Sequence, residues 1–164
     1  MNNPELFWSA SVSELKKGFK WDLKNECFRC IFCDAVYEKG QIFQENGVLT
    51  DAEKTVKTHI QAKHGSAFDF LMGLDKKQNG LSEIQKEVLL KMYQEMPDNE
   101  IAASLDNKSS STVRNHRFIL REKYKEAKLF MAIMELFEEK MERPSEFVQF
   151  HPHLTVKDDR TMTT

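Results

Sequence analysis

The chain has 164 residues, 24 lysines and arginines, and 26 aspartates and glutamates, so its formal net charge is −2. This length suits one ordinary domain or two small ones, and 40% hydrophobic residues suffice for a modest core. No apolar run approaches the roughly 18 residues that a membrane span needs, and no secretory signal opens the chain. We therefore expect a cytoplasmic protein with no membrane partner. The near-neutral charge excludes a uniformly basic nucleic-acid protein.

The net charge hides an uneven distribution along the chain. Residues 1–66 are neutral overall, residues 67–107 carry −4 and residues 129–164 carry −3. Between them, residues 108–128 hold seven basic and two acidic side chains, a net +5. Such a block is either a solvated helix face or an electrostatic footprint for nucleic acid, and charge alone does not separate the two.

The N-terminal segment predicts two short helices. The first runs from Glu5 to Ser9, and the second begins at Ser11, with Glu14 in the capping-box position and Gly18 as its stop. Apolar side chains around these helices are expected to pack onto the segment that follows: Phe7, Trp8, Leu15, Phe19 and Trp21.

Three cysteines cluster at positions 27, 30 and 33. An odd, tight cluster is a poor disulfide framework, and in a reducing compartment such clusters more often bind metal. Cys30 and Cys33 form a C-x-x-C motif, and His59 and His64 follow as H-x-x-x-x-H. Two thiolates and two imidazoles fill a tetrahedral zinc shell with no open position. We therefore predict a structural zinc ion held by Cys30, Cys33, His59 and His64.

The segment around these residues predicts a hairpin followed by a helix. Residues 28–33 and 35–37 are strand-like, and residues 41–43 are a candidate further strand. A helix is predicted from Thr50, with Glu53 in a capping box, to just before Gly65. This ββα order resembles the two-Cys, two-His zinc fingers. The 25 residues between the second Cys and the first His are about twice the usual loop, so residues 44–49 are predicted to be an inserted loop.

Other interpretations of the cysteines stay open. The thiols can be ordinary buried residues, with the two histidines on a helix surface. Cys27 can replace one ligand, although we place it outside the shell. A redox C-x-x-C motif is less favoured, because such motifs usually open a helix after a strand and no βαβ pattern follows here.

Residues 81–128 predict three helices. Ser82 and Gln85 form a capping box for the first, Pro97 lies in the first turn of the second, and the second covers residues 99–105. Residues 106–108 are predicted to turn, and three serines at 109–111 offer N-caps for the third helix, residues 112–121. The expected core between these helices consists of Ile101, Ala102, Leu105, Val113 and Leu120.

The strings LSEIQKEVLLKMYQEMPDNEIAASL and SSTVRNHRFILREK resemble the LuxR/GerE type of helix-turn-helix. Two departures affect the turn: one residue is inserted between Leu105 and Thr112, and Lys108 replaces the usual apolar residue. The resemblance implies that the third helix enters the major groove of double-stranded DNA. The alternative is a plain solvated face. The residues expected to contact DNA are Ser110, Ser111, Thr112, Arg114, Asn115, Arg117, Phe118, Arg121 and Lys123.

The third helix is predicted to continue, because no glycine or proline occurs between Thr112 and Arg143 and Pro144 then stops it. Its apolar residues fall at heptad-like spacing and include several methionines, which suit adaptable contacts. The face either packs on the chain's own core or forms a homodimer seam. The seam consists of Leu120, Tyr124, Ala127, Met131, Met134 and Met141, widened by Phe130, Ile133 and Phe137.

The whole chain resembles a family of bacterial regulators found chiefly in Gram-positive species, through WSASVSELKKGF, CIFC and STVRNHRF. In that family a zinc-finger-like module and a helix-turn-helix precede a small domain of unknown function. The segment DDRTMTT is similar to the connector to that domain, so we expect a fragment or a short form.

Together these patterns predict a mainly α fold, with a small ββα zinc-finger-like module followed by a helix-turn-helix domain and a long C-terminal helix. The expected divisions are the zinc-finger-like module with its N-terminal helices at residues 1–66, a linker helix at 67–80, the helix-turn-helix with the long helix at 81–143, and a tail or connector at 144–164. The expected function is sequence-specific DNA binding in transcriptional regulation. The rival is a zinc-stabilised protein–protein interaction module that uses the long Met-rich helix. An enzyme is not expected, because no Ser-His-Asp spacing, Gly-rich phosphate loop or carboxylate pair is recognisable.

Overall fold

A computed structural model of the chain describes residues 4–45, 47–105 and 109–142. The fold is mainly helical, with a small antiparallel sheet followed by helices, which confirms the predicted class. The chain divides into two compact units, residues 1–110 and residues 111–164. The turn predicted at residues 106–108 and the tail predicted at residues 144–164 lie outside the described residues.

The N-terminal part contains two helices and a three-stranded sheet. The elements are α1 (Pro4–Trp8), α2 (Val12–Lys17), β1 (Phe19–Asp22), β2 (Cys27–Cys30) and β3 (Val36–Glu38). The capping box at Ser11 is confirmed, and α2 ends at Gly18 as predicted. The antiparallel order β1-β2-β3 pairs Phe19 with Cys30 and Trp21 with Phe28. Strand β1 was missed, because four residues are too few for alternation to stand out.

The insertion between the cysteines and the histidines forms a second hairpin. Strands β4 (Phe43–Glu45) and β5 (Val48–Thr50) pair antiparallel, so the prediction of a loop at residues 44–49 was wrong. Of the strand expected at residues 41–43, only Phe43 is in a strand, and it pairs with Thr50 rather than with the cysteine hairpin. Glycine at position 47 has φ +80°, a left-handed turn conformation that glycine adopts without strain.

Helix α3 (Ala52–His64) has its N-cap one residue later than the predicted Thr50. Asp51 is its N-cap and accepts a hydrogen bond from the Lys54 backbone N–H at 2.7 Å. The expected capping box of Thr50 and Glu53 was therefore wrong, because Thr50 is still the last residue of β5.

The remaining elements are all helices: α4 (Ala67–Gly73), α5 (Lys76–Asn79), α6 (Glu83–Tyr93), α7 (Asp98–Ser104) and α8 (Ser110–Glu142). The capping box of Ser82 and Gln85 at the start of α6 is confirmed. Pro97 is the N-cap of α7 rather than part of its first turn. Helix α8 begins at Ser110 and runs unbroken to Glu142, as the absence of glycine and proline predicts.

The core of the first unit lies where the sheet meets α3. Phe7, Phe32, Val56 and Ile60 are buried there, and α4 adds partly buried apolar side chains. Gly18 has φ +81°, and a Cβ at this position would lie 2.7 Å from the Phe32 ring. Both its conformation and its surroundings therefore require glycine.

The residues expected in the helix-turn-helix core are mostly buried. Ile101, Ala102, Leu105 and Val113 are all at most 4% exposed. Leu120, the fifth of these residues, is half-buried.

Candidate metal centre and basic helix face

Four predicted ligands come from two neighbouring structural elements. Cys30 ends β2 and Cys33 lies in the turn before β3, whereas His59 and His64 are on α3. The cysteine turn is closed by a backbone hydrogen bond of 2.9 Å from Cys30 N–H to the Ala35 carbonyl. Because α3 packs against β2 and β3, its last turns face this loop.

Two sulfur–nitrogen distances within the cluster are close to those of a tetrahedral metal shell. The Sγ atom of Cys30 lies 3.5 Å from Nε2 of His64, and Sγ of Cys33 lies 3.2 Å from Nε2 of His59. All four ligand atoms lie within 4.8 Å of one another. Metal–ligand distances of about 2.3 Å for sulfur and about 2.0 Å for nitrogen imply sulfur–nitrogen separations near 3.5 Å in a tetrahedron. The four side chains therefore lie in a geometry that could hold a metal ion.

Cys27 is outside this cluster. It is buried at the start of β2, three residues before Cys30, and pairs with Asp22 and Glu38 on the adjoining strands. Burial raises the pKa of its thiol, and the nearby Asp22 carboxylate adds to this effect. Cys27 is therefore a buried, neutral side chain of the sheet.

Burial also affects the protonation of Cys30 and His64. It raises the pKa of the Cys30 thiol to about 12, since a thiolate there would lose its hydration. It lowers the pKa of His64, which keeps that ring neutral and able to coordinate. A cation between these groups offsets the cost of forming the thiolate, so metal binding and deprotonation of Cys30 are coupled.

Aromatic rings surround the two imidazoles. Phe32 and Phe70 stack on each other at 4.0 Å between ring centroids, and each lies 5.5 Å from His64 at a steep angle. The ring of Tyr37 lies 5.7 Å from His59. These ring contacts hold the two imidazoles in position beside the cysteines.

Neither of the two stacked rings was predicted to support the histidines. Phe32 is inside the C-x-x-C motif itself, and Phe70 was predicted only as part of the linker helix at residues 67–80. The available signal was an aromatic side chain six residues after the last histidine, on a helix capped by Ser66.

The segment between the cluster and α6 makes specific contacts. Phe68 of α4 stacks on Tyr93 of α6 at 4.1 Å between ring centroids. The Asn79 side chain donates to the Leu71 and Leu74 carbonyls, and its Oδ1 accepts from the Leu81 backbone N–H at 2.9 Å. Helix α4 is thus tied both to the metal cluster and to the first helix of the predicted helix-turn-helix.

The residues expected to contact DNA lie on different faces of α8. Spacings of four and three residues place Ser110, Arg114, Arg117 and Arg121 on one helix face, with Phe118 beside them. Arg114 and Arg121 are exposed, Arg117 is half-buried, and the ring of Phe118 is 61% exposed.

The remaining predicted contacts lie elsewhere on the same helix. Ser111 and Asn115 are exposed and lie at the edge of the arginine face. Thr112 and Lys123 lie on the opposite side, where Thr112 is half-buried. The structure therefore groups the three arginines and separates Thr112 and Lys123 from them.

From Lys123 to Met141, every side chain of α8 is exposed. The large apolar residues here include Leu129, Phe130, Ile133, Leu136 and Met141, each more than 60% exposed. The alternative in which this face packs on the chain's own core is therefore not seen among the described residues.

No helix in the described ranges is both long enough and apolar enough to cross a membrane. No protein-family profile, no curated protein and no solved structure matches the chain. Functional conclusions therefore rest on the chemistry of the metal cluster and of α8.

Proposed function

We propose that the chain is a cytoplasmic, sequence-specific DNA-binding transcriptional regulator of the LuxR/GerE helix-turn-helix type. The observation that carries this proposal is the row of Arg114, Arg117 and Arg121 along one face of α8. This face lies at the N-terminal end of a regular helix, where DNA-reading helices of this type make their base contacts.

Each group on this face has a matching partner on DNA. Arginine suits bidentate contact with guanine, the Asn115 amide suits adenine, and the exposed Phe118 ring suits the methyl group of thymine. The hydroxyls of Ser110 and Ser111 at the helix start are assigned to the phosphate backbone. The acidic segments on either side confine the attraction for phosphate to this part of the chain.

The metal is proposed to be zinc, with a structural role. Two thiolates and two imidazoles in a tetrahedral arrangement favour zinc over the hard cations Mg²⁺ and Ca²⁺. Four protein ligands leave no position for water or substrate, so the ion would hold the cysteine turn against α3 rather than take part in catalysis.

The test is selection of DNA from a random-sequence library by the purified, zinc-loaded chain. We expect an enriched motif and binding that weakens steeply with added salt, because phosphate contacts release counterions. Arg114→Ala and Arg121→Ala should each weaken binding by about 1–3 kcal/mol. Lys140→Ala, an exposed cation at the far end of the same helix, is the matched control and should leave binding unchanged. Absence of both enrichment and salt-sensitive binding would overturn the proposal.

Self-association through α8 belongs to the same proposal. A homodimer lets two reading helices bind two half-sites, and the exposed apolar stretch of α8 offers the contact surface. The second candidate function, a zinc-stabilised interaction module, is favoured by the same exposed residues 123–141. It predicts a stable complex with another protein and no selected DNA motif.

A further inference from the structure

The exposed stretch of α8 has a directional charge pattern. Residues 123–132 carry three lysines and one glutamate, whereas residues 133–142 carry four glutamates and one lysine. One end of the helix is therefore basic and the other acidic. Two such helices attract each other when they run in opposite directions and repel at both ends when they run in the same direction.

The apolar seam also favours antiparallel pairing. Within residues 123–142 this seam consists of Tyr124, Ala127, Met131, Met134 and Met141, and Glu138 occupies the one position of the same three- and four-residue spacing that is not apolar. In a parallel pair, Glu138 would meet Glu138 of the second copy inside the seam. In an antiparallel pair with Met131 opposite Met134, Glu138 instead lies opposite Ala127, a small residue that leaves room for its carboxylate to reach water.

The charged residues beside the seam give the clearest distinction between parallel and antiparallel pairing. Lys128 and Glu135 occupy equivalent flanking positions two turns apart, and both are exposed. In the antiparallel pair, Lys128 of each copy faces Glu135 of the other, so both flanking contacts are attractive. On the opposite flank, Phe130 of each copy faces Phe137 of the other and widens the apolar contact.

We propose that α8 pairs antiparallel with α8 of a second copy over residues 123–142, with the two-fold axis between Ala132 and Ile133. This inference rests on the self-association in the proposed function and specifies its geometry. The overlap coincides with the part of the helix in which every described side chain is exposed. It leaves residues 110–122, with the row of arginines, outside the paired region and accessible.

The test is sedimentation equilibrium of the full, zinc-loaded chain without DNA. We expect the unaltered chain to dimerise and Lys128→Glu to dimerise about tenfold more weakly. In this variant both flanking contacts of the dimer would bring two glutamates together. Glu135→Lys should weaken association similarly, because it places two lysines face to face twice. The double variant Lys128→Glu with Glu135→Lys should restore the affinity. Residues seven apart on one helix do not contact each other, so rescue reports contact between copies.

Leu136→Glu is the matched control, because Leu136 is equally exposed but lies away from the seam. It should leave dimerisation unchanged, and circular dichroism of each variant should show the helix content of the unaltered chain. A dimer that both single variants weaken and the double variant does not restore overturns the antiparallel geometry while self-association stands. A monomeric unaltered chain overturns both, and DNA selection remains an independent test of the regulator.

Discussion

Two apolar regions of this molecule differ in how far their side chains are exposed. In the N-terminal module, Phe32 and Val56 are at most 3% exposed, whereas in α8 the side chains of Leu129 and Leu136 are each 67% exposed. The module surrounds its apolar residues with a sheet, α3 and α4, elements that approach from different directions. Among the described residues, α8 beyond Glu122 has no such neighbours, so its apolar side chains are exposed.

The two regions also differ in what stabilises them. A core as small as that of the module rarely suffices alone, and small natural domains commonly add a metal or disulfides. The Cys2His2 cluster offers such a cross-link between the β2–β3 turn and α3. The exposed part of α8 has no equivalent among the described residues, and isolated helices are marginally stable in water.

The largest expected effect comes from breaking the metal cluster. Cys30→Ser should abolish tight zinc binding and unfold the module, because structural zinc sites have apparent binding free energies of about 10–16 kcal/mol. Metal analysis should fall from one equivalent per chain, and the dispersed NMR signals of the sheet should collapse. Cys27→Ala is the matched control and should retain one equivalent of zinc. A variant Cys30→Ser that stays fully folded contradicts the assignment.

The next largest effect is expected when a phenylalanine is replaced by alanine in the module, compared with the same replacement in α8. Phe32→Ala removes a ring stacked on Phe70 and beside His64, so we expect a loss of about 3–5 kcal/mol in the free energy of unfolding. Phe137→Ala removes an exposed ring, and in the monomer it should change stability by about 0.5 kcal/mol or less. Urea unfolding at concentrations where the chain is monomeric measures both. Equal losses would show that the side chain of Phe137 is covered in the monomer.

A smaller loss is expected from Gly18→Ala. The added methyl meets the Phe32 ring and Ile60, and alanine is strained at φ +81°. Together these effects should cost about 2 kcal/mol, with zinc stoichiometry unchanged. Thermal unfolding measures the loss, and Gly40→Ala is the control, since it shares the positive φ but has no neighbour within 4 Å. A Gly18 effect no larger than that of Gly40 would mean that the ring and Ile60 move aside freely.

The smallest expected effect concerns Asp22, whose carboxylate accepts hydrogen bonds from Asn25, from the Lys24 backbone N–H and from Arg29. The Asn25 side chain contributes most to lowering the pKa of this carboxyl from its ordinary value of 3.8. The folded state thus favours the charged form, so its contribution is present above pH 3.8 and is lost as the pH falls through the lower folded pKa. Asp22→Asn should slightly lower the melting temperature at neutral pH. A midpoint above 3.8 in an NMR titration would reverse the sign.

Much of the candidate site could be predicted because it depends on short-range spacing. The C-x-x-C motif places two ligands in one tight turn, and the H-x-x-x-x-H motif places two ligands within two turns of one helix. The structure brings the two pairs together. The strands were harder to predict, because β4 and β5 are three residues each and their pairing depends on a partner rather than on their own composition. The aromatic support of His64 by Phe70 was missed for the same reason.

The sequence by itself determined the features that neighbouring residues control: the capping boxes at Ser11 and Ser82, the unbroken course of α8 and the set of four metal ligands. Only the tertiary structure decided which apolar side chains are covered. Phe70 reaches the metal cluster, Leu120 is half-buried and residues 123–141 are exposed. The physical reason is that burial requires surfaces from elements distant in the chain, and a local pattern records that a face is apolar but not what lies against it.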